Sequence, residues 1–186
     1  MTDTSIATPP RERILHAAHD LFYSDGIRAT GIDRVIAESG VAKVTFYRQF
    51  PSKDDLILAF LEFRHERWMA WFVDALARHG GNVAAIAPAL AEWFRGDDFR
   101  GCAFLNSVGE LAAALPAVLA HARRHKQDMT AAVTRLIKPG PRRARVARAL
   151  ALAIDGAIVQ AQYLESPDMA VEALARVAKA LSKELA

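Results

Sequence analysis

A single cysteine, Cys102, is all this 186-residue chain contains, which rules out an internal disulfide framework and fits a reducing compartment. No apolar run approaches the roughly 20 residues of a membrane-spanning helix, so a membrane partner is not expected. The opening stretch, Met1 to Pro10, lacks the basic and then apolar segments of a secretory leader and reads as a short disordered arm. Strand signals are nearly absent: there is no sustained apolar/polar alternation and no tight-turn dipeptide between β-branched runs. Phosphate-cradling loops, nucleophile elbows, internal repeats and low-complexity tracts are missing as well. Charge of one sign is scarce, with a net of +3, and residues 1–53 carry seven basic against six acidic groups. Bulk charge therefore does not single out the N-terminal part as a partner for a polyanion.

What is present is helical punctuation throughout, on an ordinary globular background of 52% apolar and 24% charged residues. A first helix is predicted from about Pro10 to Ser24, with proline in its first turn, an Ile14-Leu15-Ala18-Leu21-Phe22 stripe and Gly26 as a left-handed stop. Thr30 has the spacing of a capping residue with Asp33 for a second helix ending at Ser39-Gly40. A short third helix follows, broken at Phe50-Pro51-Ser52. Ser52, with Asp55 three residues on, caps a long fourth helix to about His79. Further helices are predicted near 83–95, 101–114, 116–137, 142–164 and 168–184. The fold class expected is all-α, about nine helices. A three-helix helix-turn-helix domain spans 8–68, with the motif itself at about 31–50, and a second helical domain spans 69–186.

Two short helices joined through Gly40 form a helix-turn-helix pattern. A second helix of about seven residues spans roughly 10 Å and fits a major groove about 12 Å wide. Phe46 and Phe50, four apart, anchor its inner face. Lys43, Val44, Thr45, Tyr47 and Arg48 are left for the outer one. No acid occurs between Ser39 and Lys53. That local surface matters more to a phosphate than the net charge of the domain, because exposed charges beyond about 8–10 Å are screened.

The run from Gly26-Ile27-Arg28-Ala29-Thr30 through Thr45-Phe46-Tyr47-Arg48-Gln49-Phe50-Pro51-Ser52-Lys53 resembles the DNA-binding domain of the TetR (tetracycline-repressor-like) family, closely over about residues 10–60. The phrase Phe99-Arg100-Gly101-Cys102-Ala103-Phe104-Leu105-Asn106 is also similar to one branch of that family. The resemblance implies a homodimeric repressor on double-stranded, palindromic operator DNA, released by a small organic effector, in the cytoplasm with the nucleoid, with no cofactor and no catalysis. It implies that Thr30 touches phosphate from a helix N-terminus. Lys43 and Val44 would approach base edges, Thr45, Tyr47 and Lys53 would hold the backbone, and Arg48 would reach either, with Arg28 beside them. Val44 departs from the glycine common at that position. It could meet a thymine methyl or block close approach.

Aromatics concentrate after this motif. Trp68, Phe72, Trp93, Phe104 and Tyr163, with Asn106, Glu110, His125 and Gln160 as polar anchors, are the candidate lining of an effector cavity, although an aromatic stripe also serves as plain core. The last two long helices carry small apolar faces: Ala147, Leu150, Ala151, Ile154, Ala157, Ile158 and Ala161, then Val171, Leu174, Val177, Ala178 and Leu181. These are the expected dimer surface, with a buried face inside one subunit as the alternative. Residues 121–148 hold nine basic groups against Asp128 alone, readable as a second anionic-partner surface or as a solvated run. Other classes stay open: a helical scaffold without DNA binding, or a metal-dependent enzyme using Glu62-Phe63-Arg64-His65 or the His121/His125 pair. Each lacks the further ligands such sites need. Cys102 reads as a buried small residue or as a redox sensor.

Overall fold

The computed structural model describes residues 8–185; most of the arm expected at Met1–Pro10 lies outside them. Among the described residues there are nine α-helices and no strand. They are α1 (Pro10–Asp25), α2 (Ile32–Ser39), α3 (Lys43–Gln49), α4 (Lys53–Arg78), α5 (Ile86–Phe94), α6 (Ala103–Leu111), α7 (Ala117–Arg135), α8 (Arg143–Tyr163) and α9 (Asp168–Lys183). A single 3₁₀ turn, Val83–Ala85, precedes α5. Helix α1 packs on α2, α3 and α4, while α7 joins α4 and α6 to α8, and α9 closes over α8 and α5. The boundary expected at residue 68 falls inside α4, which runs unbroken from one group of helices into the other. No helix among the described residues is long and apolar enough to cross a membrane.

A seven-residue helix does not stand alone in water, because nucleation outweighs the few hydrogen bonds it gains. Helix α3 stands because Phe46 and Phe50, 0% and 2% exposed, are driven into the core with Ile14, Val35 and Leu56. Each buried phenylalanine contributes roughly 1.5–3 kcal/mol. Arg13 on α1 fixes the turn before it. Its Nε donates to the Ser39 carbonyl at 3.0 Å, and its Nη2 donates to the carbonyls of Ser39 at 2.6 Å and Gly40 at 2.7 Å. The last carbonyls of α2 thus gain a cation where the helix dipole is negative. Gly40 itself has φ 62°, a left-handed conformation that glycine takes freely.

Two local expectations change. Gly26 ends α1 at φ 89° and ψ 154°, outside the left-handed helical region and in one that is essentially glycine-only. The chain leaving it turns Thr30 inward, so Gly31 and not Thr30 occupies the N-cap of α2. Thr30 is 0% exposed, and its hydroxyl donates to the Gly26 carbonyl at 2.8 Å. Ser52 does cap α4, its Oγ accepting from the Asp55 N–H at 3.1 Å.

The small faces of α8 and α9 also turn out differently. Ala147, Leu150, Ala151, Ile154, Ala157, Ile158 and Ala161, with Leu174 and Ala178, are buried within this one subunit. Val171 and Leu181 are half-buried on the same side, and only Val177 points out. The helices approach closely through these alanines, against each other and their neighbours. The basic run of 121–148 is largely engaged: Arg124 pairs with Glu62, Lys126 with Asp155 and Arg145 with Glu184, while Arg143 donates to the Thr134 carbonyl.

At the centre of the larger group of helices, His65 and His125 approach Nδ1 to Nδ1 at 3.2 Å, and His125 stacks on Phe104 with centroids 3.8 Å apart. Asp128 lies 3.4 Å from His65 Nε2, which suits a proton there and leaves His65 Nδ1 to accept from His125. Burial first, then the nearby Lys126 cation, pushes the His125 pKa down to about 2 from 6.5. Burial also lowers His19. A histidine held neutral in this way gives its full stabilisation above the unfolded-state value and loses it as pH falls below that value.

Two outcomes are expected. Arg13→Ala removes the clamp on the helix-turn-helix turn and costs about 1–2 kcal/mol in denaturant unfolding, with α3 the first segment to exchange its amides. Unfolding stability is expected to be flat above about pH 7 and to fall below about pH 6 by ~1.4 kcal/mol per pH unit for each histidine held neutral. His125→Asn should shallow that acid slope by about one proton; an unchanged slope contradicts the assignment.

Candidate nucleic-acid interface and the cavity behind it

With Phe46 and Phe50 pointing inward, the helical period places the remaining side chains of α3 outside. Val44 is 68% exposed and Tyr47 42%, Lys43 and Arg48 are exposed, and Thr45 is half-buried. The Tyr47 ring meets Phe46 edge-on at 5.3 Å, which props the phenol outward from a fixed base. Lys43 leans 3.1 Å from Asp33 Oδ1 across the turn, an exposed pair that raises the lysine pKa and that a phosphate can displace. Arg28 is exposed on the loop between α1 and α2. The structure therefore brings Lys43, Val44, Thr45, Tyr47 and Arg48 together on one convex surface.

Two residues expected there are spent elsewhere. Thr30 is buried, as described above, and its hydroxyl cannot reach an outside phosphate. Lys53 sends its ammonium back to the Ile27 carbonyl at 2.7 Å, over the Phe22 ring, and burial lowers its pKa. Its position in the first turn of α4 puts that carbonyl within reach, so it ties the loop between α1 and α2 to α4.

The reading head, the unit of α1, α2 and α3, is fastened to the rest of the chain by contacts that no sequence motif announces. Glu110 on α6 accepts from the Arg28 backbone N–H at 2.8 Å. Tyr23 on α1 donates its hydroxyl to the Gly101 carbonyl at 2.9 Å and accepts from the Arg100 N–H at 3.1 Å. Glu110 thus serves as a strut rather than as a cavity anchor. Asn106 also faces this junction, donating to the Arg100 carbonyl at 3.0 Å beside a cleft of about 290 Å³ between α1 and α6.

Of the expected cavity lining, Trp68, Phe72, Trp93, Phe104 and His125 do converge. Trp68 stacks on Phe72 at 4.7 Å and meets Trp93 at 5.6 Å and His125 at 4.9 Å. Gln160 and Tyr163 do not join them: both lie exposed on the outer side of α8, Tyr163 at 69%. The period of α8 explains this, since Ile154, Ile158 and Ala161 take the inward positions. The void among Trp68, Trp93, Phe104 and His125 is only about 10 Å³, so packing closes it. Directly outside, a cleft of about 250 Å³ is bounded by Arg64, Arg67, Trp68, Trp71, Trp93 and Asp98. Cys102 is buried next to the void, with the Lys126 ammonium 3.4 Å from its sulfur. The Glu62-x-x-His65 pair is engaged otherwise, Glu62 by Arg124 and His65 by His125 and Asp128.

Comparison with known proteins gives the same outline. The family model described as bacterial regulatory proteins, tetR family, matches residues 14–60. A crystallised TetR-family transcriptional regulator from Streptomyces coelicolor is 30% identical and superposes with a TM-score of 0.82, over 95% of this chain and 89% of that one. Among curated proteins, an uncharacterized HTH-type transcriptional regulator of Lactococcus lactis subsp. lactis is 27% identical over 108 residues, 55% of each chain. The HTH-type transcriptional activator FasR of Mycolicibacterium smegmatis is 30% identical over 84 residues, 45% of this chain and 38% of that one. The chain thus spans about half or less of the length of these curated relatives. The α3 surface, the helical order and the near-complete superposition together establish that this chain belongs to the TetR family of DNA-binding transcriptional regulators.

Proposed function

We propose that the chain is a homodimeric repressor that reads a palindromic operator through α3 and is released from it by a small organic effector. The observation that carries this reading is the outward face of α3, where Lys43, Val44, Tyr47 and Arg48 stand exposed on a helix rigidly seated from behind. Such a helix fits the major groove. Its lysine and arginine can donate to guanine edges or phosphates, and Val44 offers a methyl surface to thymine. FasR is named an activator, so this grip serves either sign of control. Repression is the simpler reading, because a dimer seated on an operator excludes other proteins from it.

The dimer surface follows from which residues α8 and α9 leave outside. Leu152, Val159 and Tyr163, seven and then four residues apart, form one stripe on α8 with Gly156 and Gln160, and Met169 and Val177 lie exposed on α9. An isologous contact through this stripe sets two copies of α3 on one side of the pair, for half-sites spaced by one turn or a multiple, about 34–36 Å apart. An effector behind α4 acts on that spacing, because α4 runs from the reading head into the cavity wall and Tyr23 and Glu110 bind the same two parts together. Coupling of about 1–3 kcal/mol suffices for 5- to 150-fold release.

Two experiments test these points. With a duplex selected from random oligonucleotides, Lys43→Ala and Tyr47→Ala are each expected to weaken binding about tenfold or more at unchanged melting temperature. Thr30→Val should instead lower the melting temperature, with a smaller effect on a fully folded sample. Equal binding by all three variants overturns the assignment of α3. Leu152→Glu together with Val159→Glu is expected to convert a dimer into a monomer in sedimentation and to weaken operator binding in parallel. A dimer that survives both changes places the contact elsewhere.

A further inference from the structure

Arg64 is buried to 7% exposure near the middle of α4, yet among the described residues it forms no ion pair. Its one hydrogen bond there is from Nη1 to His19 Nε2 at 3.2 Å, and its guanidinium lies 3.9 Å over the Tyr23 ring. His19 passes the contact on, its Nδ1 standing 2.8 Å from Asp20. Burying a cation with so little compensation is costly, and the usual remedy is a carboxylate or phosphate. One turn further along α4, the indole Nε1 of Trp68 is buried with no hydrogen-bond partner, although Trp68 as a whole is only 6% exposed. Orphaned buried donors are rare and call for an explanation.

Both groups border the same two spaces: the closed void of about 10 Å³ and the open cleft of about 250 Å³ outside it. Two under-satisfied donors on the walls of the same spaces, one of them a planar guanidinium, ask for an acceptor with negative charge. The walls around them, Trp68 and Trp93 meeting at 69° with Trp71 and Phe104 beyond, ask for a flat apolar body. The acids at the cleft are Glu92, whose charge is held by Arg78 and His79, and Asp98, whose charge reaches Arg64 without forming an ion pair with it.

We infer that this site takes a small aromatic carboxylate, with the carboxylate on the Arg64 guanidinium and the Trp68 indole N–H and the ring lying in the outer cleft against Trp68, Trp71 and Trp93. The inference rests on the reading that an effector cavity lies behind α4 and adds the chemical class of the effector and its two anchoring groups. It also supplies a route to the reading head. An anion that engages Arg64 competes with His19 and Tyr23, the α1 residues that hold it, and Tyr23 is the residue that fastens α1 to the Arg100–Gly101 backbone. A cleft of about 250 Å³ is just below the usual range of ligand pockets, about 300–1,000 Å³, and holds one or two fused rings at most.

The test is isothermal titration of the full chain with 1-naphthoate, 1-naphthamide, 1-naphthylmethylamine and inorganic phosphate, for wild type, Arg64→Gln and Trp68→Phe. Circular dichroism melts check that each variant folds. The naphthoate is expected to bind at least tenfold more tightly than the amide, with no binding of the amine or of phosphate alone. Trp68→Phe should weaken the acid severalfold and leave the amide unchanged, and Arg64→Gln should abolish the preference for the acid. Acid and amide binding alike in all three proteins overturns the inference while leaving an effector cavity in place, and absence of binding by every probe overturns it as well. Operator affinity, measured in parallel without ligand, separates either failure from a failure of the DNA-binding reading.

Discussion

Everything in the functional account depends on two phenylalanines holding a helix too short to hold itself. Phe46 and Phe50 are buried in the core where α3 packs on α1 and α2, and that burial decides which way α3 faces. Its outward residues are then set by the helical period alone. Arg13 adds the second constraint by tying the carbonyls at the end of α2, so the angle between α2 and α3 is fixed from α1. A groove-reading helix must be rigid to be specific, since a loose one spends binding energy on its own ordering. Here the rigidity comes from behind, where a duplex never touches.

The same logic runs through α4. It begins beneath the reading head, where Lys53 ties back the loop after α1. It then carries Arg64 against α1 and contributes Trp68, Trp71 and Phe72 to the aromatic cluster. A helix that is unbroken over 26 residues transmits a tilt rather than absorbing it. The junction it crosses is polar: Tyr23, Arg64, His19 and Glu110 meet backbone groups or one another through directed hydrogen bonds. Such contacts have discrete partners and can exchange one for another, which suits the two arrangements that the proposed effector release requires.

Much of this was legible in the chain alone. Helix order, the turn at Gly40 and the inward pair Phe46/Phe50 follow from spacing and chain-breaking residues, which are local properties. Thr30 and Ser52 show where that reading stops. Both have the spacing of a cap, and only Ser52 is one, because Gly26 bends the preceding chain so that Thr30 falls inside. The faces of α8 and α9 failed for a related reason. Alanine permits close approach to any helix, and sequence cannot say whether that neighbour belongs to the same subunit; in this case Ala147, Ala151 and Ala157 meet their own chain. The roles that Arg13, Tyr23, Arg64 and Glu110 take carried no signal, and Glu110 was expected as a cavity anchor, since each acts on a partner 26 to 82 residues away.

The central claim, that α3 meets a duplex with its cations, is tested most directly by the salt dependence of binding to a selected operator. In the proposed dimer, Arg28, Lys43 and Arg48 of the two copies make about six phosphate-competent charges, so log K should fall linearly with log salt concentration at a slope of about −5. A slope near zero, or no binding to any duplex at low ionic strength, would contradict the account.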